Sequence, residues 1–254
     1  MDTPWAKRHR ARVTFLLVTL FIIVFGSYSV FVLWKPPSCS DGRQNQGEAG
    51  VDCGGPCQFY CDAEVQDLRV SWARAFKASD GIYSLLAYIE NPNRDKMVRS
   101  IPYRFRLYDE RGIMLLEERG ETYLNQEVLT GVFLGRVSLR STVPYRTTFE
   151  LLEDPIWERA ERDLSVSVSE YAFVEGSIGT ELRATIKNDE PVVLRDLEVI
   201  VVMYGADDNA VAASQTYIDM LEPRGERRVA FAWPYSLPDA LGRVEFLSRV
   251  PPQE

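Results

Sequence analysis

Short runs of alternating apolar and polar residues, separated by turn residues, fill the chain after Asp62. This period of two is typical of half-buried β-strands, and no long stretch there has the period of an amphipathic helix. The pattern predicts strands in SLLAYIEN, YRFRLYDERG, GVFLGRVSL, YRTTFELL, ELRATIKND, DLEVIVVMYG, RRVAFAWP and RVEFL. We therefore predict a mainly β fold for this part of the chain.

The N-terminal region has a different pattern. Residues 13–34 carry no charge, and a helix of about 20 apolar residues is long enough to cross a bilayer. Basic residues precede it, namely Lys7, Arg8, Arg10 and Arg12. Under the positive-inside rule, residues 1–12 form a cytoplasmic stub and residues 35–254 are extracytoplasmic. The sequence thus predicts a single-pass protein of the cell membrane.

A cleaved signal peptide is the alternative for this region. A basic start, an apolar run and the small residues Ser27 and Ser29 are typical of one. However, the chain stays apolar from Val30 to Trp34, so cleavage would leave an apolar new terminus. We favour an uncleaved anchor.

The β-rich part contains an internal repeat with a spacing near 95 residues. DLRVSWARAF parallels DLSVSVSEYAF, Ile89–Asn91 parallels Ile186–Asn188, and FRLYDERG parallels IVVMYGADDN. Each copy has about 90 residues and roughly seven predicted strands, the size of an immunoglobulin-like β-sandwich. Trp72 and Trp233 lie in predicted strands, so we expect both in sandwich cores.

The domain organisation follows from these patterns. The predicted segments are a cytoplasmic stub (1–12), a transmembrane helix (13–34), a Cys-rich knot (35–62), a first β-sandwich (63–154), a linker (155–162) and a second β-sandwich (163–254). A short helical turn is expected in the linker region after Pro155.

The stretch FRLYD, Phe105 to Asp109, resembles the FxLYD family of bacterial and archaeal surface domains. Asn91 at the end of an earlier strand and Gly112 in the following turn fit the same resemblance, which covers the first repeat. It implies a β-sandwich attached to a membrane anchor, without an established catalytic role. Alternation alone predicts that Phe105 and Leu107 point to one face while Asp109 begins a hairpin turn.

All four cysteines lie between residues 39 and 61, as Cys39, Cys53, Cys57 and Cys61. Outside a membrane such a cluster predicts two disulfides, and three pairings are compatible with the sequence. Many glycines between the cysteines predict tight turns with positive φ. A zinc site is the weaker alternative, because the spacing lacks paired knuckles, and the C-x-x-C of a thioredoxin-like redox centre is absent.

Oxygen-bearing side chains recur through this knot, at Asp41, Asn45, Glu48 and Asp52. They suit calcium, which prefers oxygen ligands on a turning backbone. The pattern C-x-D-G-x-x-N-x-x-E-x-G-x-D-C-G-G-x-C resembles a short motif of extracytoplasmic bacterial proteins and, more loosely, calcium-binding Notch-type repeats. The alternative is that these side chains cap turns by accepting local N–H groups. Calcium is the one cofactor that the sequence suggests.

Net charge limits the functions of the chain. It is −8 overall and −11 after residue 12, and an acidic body without a basic stripe excludes a general nucleic-acid binder. The one histidine is His9, and no hydrolase, metalloprotease or phosphate-loop motif is present. We therefore expect a protein that is not an enzyme.

Three functions remain open. The first is a module that presents two β-sandwiches to a protein partner at the cell envelope. The second is a structural spacer without a specific ligand. The third is a receptor for a solute or sugar, or an accessory to an envelope enzyme. An exposed apolar patch would favour the protein-binding module. A uniformly polar surface would favour the spacer, and a large cavity with converging polar groups would favour the receptor.

Overall fold

The computed structural model describes residues 4–33, 37–139, 142–160, 164–176, 179–237 and 241–252. It divides into two compact units, Met1–Gln58 and Phe59–Glu254.

The first unit begins with helix α1, Pro4–Leu33. Its apolar part, Arg12–Ser29, has the length and composition of a membrane span and no buried residue, and a signal sequence near an N-terminus shares these properties. Three hydroxyls inside it bond back to the helix: Thr14 donates to the Arg10 carbonyl and Thr19 to the Phe15 carbonyl, both at 2.9 Å, and Ser27 donates to the Ile23 carbonyl at 2.7 Å. These bonds satisfy polar groups that lipid would leave unpaired. Trp34 lies outside the described residues.

The second unit is built from β-strands, as predicted. After a short 3-10 turn at Asp62–Glu64, the first sandwich contains β1 Arg69–Ser79, β2 Ile82–Glu90, β3 Lys96–Tyr108, β4 Met114–Leu124, β5 Leu129–Ser138 and β6 Arg146–Leu151. A two-residue strand follows, β7 Glu158–Arg159. The second sandwich contains β8 Val166–Gly176, β9 Gly179–Asn188, β10 Leu194–Gly205, β11 Ala210–Leu221, β12 Glu226–Trp233 and β13 Leu241–Arg249.

Both sandwiches have the same antiparallel topology. In the first, sheet β1-β2-β5 faces sheet β4-β3-β6, and in the second, β8-β9-β12 faces β11-β10-β13. Each pair of sheets encloses its own apolar core, centred on Phe105 in the first sandwich and Phe231 in the second. Six main strands per sandwich replace the seven that were expected.

The internal repeat extends to individual hydrogen bonds. Asn91 and Asn188 are fully buried at the ends of β2 and β9. The Asn91 amide donates to the Asn125 carbonyl at 3.0 Å, and that of Asn188 donates to the Val192, Leu221 and Glu222 carbonyls at 2.8–3.1 Å. Each asparagine therefore fastens the loops at the same end of its own sandwich.

The linker differs from its prediction. No helical turn follows Pro155: the backbone is extended, and β7 pairs with Lys96–Met97 at the start of β3. The cause is Trp157, which is 4% exposed and packs into the core of the first sandwich. Burying this indole requires the backbone to run along the sheet.

The two sandwiches pack face to face. Sheet β1-β2-β5 turns its outer face, with Phe76, Leu86 and Tyr88, toward the outer face of β11-β10-β13, with Ile200 and Val202. Strands β2 and β10 are therefore buried on both sides. Trp72 stacks on Tyr88 in this interface and does not lie inside a sandwich as expected, whereas Trp233 is in its core.

A glycine permits the close approach of the two sheets. A Cβ atom on Gly131 of β5 would lie 2.8 Å from a methyl group of Leu247 and 3.1 Å from one of Ile200. A side chain on Gly131 would therefore force the Leu247 and Ile200 methyl groups to shift, because interiors are close-packed. The absence of a side chain at this position lets these two residues pack directly against β5.

Arg249 connects the two sandwiches at one edge of their interface. It is 4% exposed and reaches from β13 into the first sandwich, where it donates to the Gly131 carbonyl at 2.9 Å, the Thr122 hydroxyl at 2.8 Å and the Tyr123 carbonyl at 2.9 Å. Its charge is balanced by Glu198, 3.2 Å away. A buried guanidinium with this many partners fixes the relative position of the two sandwiches.

Glu245 joins the sandwiches by a second polar contact. Its carboxylate accepts from the Tyr88 hydroxyl of the first sandwich at 2.7 Å and from the Tyr204 hydroxyl at 2.8 Å. Arg243 also donates to it, at 3.0 Å. Burial alone would raise the pKa of Glu245, but these three hydrogen bonds outweigh burial and leave the pKa below its ordinary value.

Because of this lowered pKa, we expect the free energy of unfolding to fall in acid. The unfolded chain takes up a proton at Glu245 near pH 4.3, before the folded chain does. The stabilisation is therefore complete above about pH 5 and is lost as the pH falls through the folded pKa. We expect Glu245→Gln to flatten the dependence of unfolding free energy on pH between about pH 5 and pH 3. Glu226→Gln, at an exposed position, is the control, and equal slopes for both variants would contradict the prediction.

Candidate functional site

The Cys-rich knot contains disulfides, as predicted. Cys39 is bonded to Cys57 with an S–S distance of 2.05 Å. Cys53 and Cys61 are disulfide-bonded as well, and no described cysteine is free. This chemistry excludes thiolate ligation of zinc by the oxidised knot, because a metal-binding cysteine must be a thiolate.

Left-handed backbone turns shape the knot, in agreement with its glycine content. Positive φ angles occur at Gly42, Gly47, Gly54 and Gly55, and also at Asp52. Gly55 is the most constrained, since a Cβ atom there would lie 2.1 Å from the Gly47 carbonyl oxygen. Only glycine fits this position, because two backbone segments touch there.

Three of the four proposed calcium ligands, Asp41, Glu48 and Asp52, accept hydrogen bonds from the knot itself. Asp52 accepts from the backbone N–H groups of Asp41 and Gly42, both at 2.9 Å. Glu48 accepts from the N–H groups of Asn45 at 3.1 Å and Asp52 at 3.3 Å. The Asn45 amide nitrogen donates to Asp41 at 2.8 Å. These hydrogen bonds are the ones expected if the side chains cap turns, which is the alternative to calcium binding.

One side-chain oxygen in the knot is free to act as a cation ligand. The side-chain oxygen of Asn45 is buried and accepts no hydrogen bond from the described residues. Glu48 is also buried, and its carboxylate lies beside the sulfurs of Cys39 and Cys57, which cannot ligate a metal while they form a disulfide. Calcium binding by Asp41, Asn45, Glu48 and Asp52 remains a prediction. A calcium chelator should then shift the NMR signals of residues 39–57, and unchanged signals would exclude bound calcium.

Reduction of the disulfides has a separate expected outcome. Residues 39–61 should lose their ordered turns, since so small a segment has few core contacts and each crosslink contributes about 2–3 kcal/mol. The melting transition of the sandwiches should persist, because neither core contains a cysteine. Circular dichroism with and without reductant measures both effects. Cooperative loss of the sandwich transition on reduction would contradict this expectation.

The FRLYD stretch forms the end of β3 and the turn after it. Phe105 and Leu107 are buried in the core, as alternation predicted. Asp109 accepts from the backbone N–H groups of Arg111 at 2.9 Å and Ile113 at 2.8 Å, which closes the hairpin around Gly112 at φ 79°. The turn also has two backbone bonds, from the Asp109 N–H to the Ile113 carbonyl at 3.0 Å and from the Gly112 N–H to the Asp109 carbonyl at 3.1 Å. Two equivalent backbone bonds join Gly205 to Asn209 and to Asp208 in the second sandwich. The FRLYD motif therefore ends strand β3 and begins a tight turn.

The outer face of sheet β4-β3-β6 is charged. Glu117 binds Arg106 at 2.8 Å and Arg119 at 2.7 Å. These two partners lower the pKa of Glu117 to about 2, so this carboxyl stays ionised and is unsuited to act as a general acid. Glu117 thus belongs to a ladder of ion pairs on a solvated sheet face.

Exposed apolar side chains gather at one end of the first sandwich, opposite the start of β1. Ile113 and Met114 follow the Asp109 turn, and Val143 and Tyr145 precede β6. The Tyr145 N–H donates to the Tyr108 carbonyl at 2.8 Å, which brings the two segments together. Their exposures are 59%, 52%, 72% and 74% in chain order. We call these four residues the distal tip.

The equivalent end of the second sandwich is less apolar. Asn209 and Ala210 occupy the positions of Ile113 and Met114, and the Ala210 carbonyl accepts from Arg74 of the first sandwich. The distal tip therefore brings together four of the more exposed large apolar side chains of the first sandwich. Sequence reasoning missed this tip, because its two segments lie about 30 residues apart.

Comparison with known proteins adds little. No protein-family model and no curated protein matches the sequence. Among solved structures the chain is similar to a red sea bream transglutaminase, with 14% identity and a TM-score of 0.25. The match covers 72% of this chain and 29% of that one, so the chain spans less than a third of the enzyme's length. A likeness of this quality carries no argument about activity.

Proposed function

We propose that this protein is a single-pass, membrane-anchored module that binds a protein partner at the cell envelope through its distal tip. Residues 13–34 anchor it, residues 1–12 face the cytoplasm, and residues 35–254 are extracytoplasmic. The apolar helix and the β-rich unit support this arrangement. We also assign the first sandwich to the FxLYD type, on the buried Phe105 and Leu107 and the turn at Asp109.

The observation that carries the binding proposal is the exposure of the distal tip. Monomeric proteins rarely leave contiguous large apolar side chains in water, and such patches mark interaction sites. Methionine and aromatic residues are enriched at interfaces, and Met114 and Tyr145 are of these types. A spacer without a ligand gains nothing from exposing them.

A non-enzymatic role is part of the proposal. The cysteines are in disulfides, the one histidine is His9 in the N-terminal helix, and Glu117 is held ionised by arginines. The β-rich unit therefore offers neither a free thiol nor an imidazole for catalysis, and Glu117 is unsuited to act as a general acid.

Site-specific photo-crosslinking in cells tests the binding proposal. A photoreactive phenylalanine analogue at Tyr145 should form an adduct with one envelope protein. The same analogue at Tyr171, which is 50% exposed on the second sandwich, is the matched control and should not. The double variant Ile113→Ser, Met114→Ser should abolish the adduct without changing the melting temperature. Absence of an adduct at position 145, or equal adducts at both positions, would contradict the proposal.

The anchor is tested on the same cells. An uncleaved protein should resist alkaline extraction from membranes and have the intact mass of 29.0 kDa. A shorter, released product would show that the apolar segment is a signal peptide.

A further inference from the structure

A second candidate site lies between the two sandwiches, apart from the distal tip. A cavity of about 520 Å³ opens there, with Met97, Leu124 and Gln126 on one side and Leu164, Val193 and Pro251 on the other. This volume is within the range of small-ligand sites, which occur preferentially at domain interfaces.

Hydrogen bonds hold two of the loops that line the cavity in place before a ligand binds. Asn91 holds the loop of residues 125–127 by its bond to the Asn125 carbonyl at 3.0 Å. Asn188 holds the facing loop of the second sandwich by its bond to the Val192 carbonyl at 2.8 Å. Arg249 joins the two sandwiches close by. A ligand would therefore meet a rigid cavity, which reduces the entropic cost of binding.

The lining selects a class of ligand. Aliphatic side chains form most of it, and the described lining includes no aromatic ring. Sugars and nucleobases usually stack on such rings, so this lining does not favour them. The polar lining groups are Arg99, Asn125, Gln126 and Glu127, which supply both donors and acceptors and both signs of charge. That combination complements the N–H and C=O groups of a peptide backbone.

We propose that this cavity binds a short linear peptide by accepting a branched aliphatic side chain, while the peptide backbone meets the polar lining groups. The site needs no covalent step and no cofactor. It is independent of the distal tip, so either proposal can fail without the other.

Titration of the full-length protein in detergent micelles tests this site. The probe is acetyl-Gly-Leu-Gly-amide, and acetyl-Gly-Glu-Gly-amide is the matched control peptide. In two-dimensional NMR, the leucine peptide should produce saturable shifts at the amides of Gln126 and Val193, and the glutamate peptide should not. Absence of saturable shifts, or equal shifts with both peptides, would overturn the proposal.

Cavity-filling variants localise the binding. Val193→Trp should weaken affinity for the leucine peptide at least tenfold, whereas Val211→Trp, on the surface of β11, should leave it unchanged. If Val193→Trp alters the melting temperature, Met97→Trp replaces it from the opposite wall. Unchanged affinity in a folded filling variant would overturn the proposal.

Discussion

Replacement of Arg249 by methionine is expected to lower the free energy of unfolding by about 3–5 kcal/mol, the usual cost of breaking a buried ion pair. Methionine keeps much of the apolar stem but removes the guanidinium. Glu198 would then be left half-buried without its cation, and the Gly131 and Tyr123 carbonyls would each lose a donor. Denaturant unfolding of the full-length protein in detergent, followed by tryptophan fluorescence, measures the change.

Arg119→Met is the matched control. Arg119 pairs with Glu117 on the charged sheet face, but its side chain is 63% exposed, and exposed pairs contribute at most about 1 kcal/mol. The Arg249 variant should also split the unfolding transition, because the contacts between the sandwiches weaken more than either core. If both variants lose the same stability, Arg249 does not lock the interface.

The second large effect is expected at Asn188. Substitution by alanine removes the donor to three carbonyls, of Val192, Leu221 and Glu222, at a position with no exposure. A buried group left without a partner costs about 1–3 kcal/mol. Since water can reach some of these loop carbonyls, we expect a total loss of about 3 kcal/mol in the free energy of unfolding.

Asn209→Ala controls for the loss of an asparagine side chain. The Asn209 side chain donates to the neighbouring Asp207 carboxylate in an exposed turn, so its replacement should change stability by less than about 0.5 kcal/mol. Asn91→Ala should resemble Asn188→Ala but with a smaller effect, because the Asn91 amide donates to one carbonyl. A smaller loss at Asn188 than at Asn91 would refute this ranking.

The strands, the apolar helix and the disulfides were predictable because each depends on local sequence. Alternation placed Phe105 and Leu107 inward, and the position of Asp109 before a glycine indicated the hairpin turn. The pairing of Cys39 with Cys57 was not predictable, since it depends on how turns at separate glycines combine in space.

The packing of the two sandwiches did leave a signal in the sequence. The segments LLAYI in β2 and VIVVMY in β10 are continuously apolar, whereas a strand with one solvent-exposed face alternates. Continuous runs indicate strands buried on both faces. Arg249 gave no such signal, because an arginine near the end of a chain usually lies in solvent.

The candidate sites were the least predictable part. The knot residues Asp41, Asn45, Glu48 and Asp52 do lie close together, but the sequence could not show that backbone N–H groups already bind their oxygens. The distal tip and the cavity both form where segments distant in the sequence meet. Such surfaces follow from topology, which strand patterns alone leave open.

Face-to-face packing also sets how far the β-rich unit can extend. An eleven-residue strand such as β1 spans about 37 Å at about 3.4 Å per residue. Two sandwiches joined end to end would double that length, but side by side they add thickness instead. The interface is apolar, and hydrogen bonds of Arg249 and Glu245 connect its two sides. These contacts oppose a movement of the two sandwiches into an end-to-end arrangement. The β-rich unit is thus a short, stiff block that holds a surface in a fixed position, and not an extended tether.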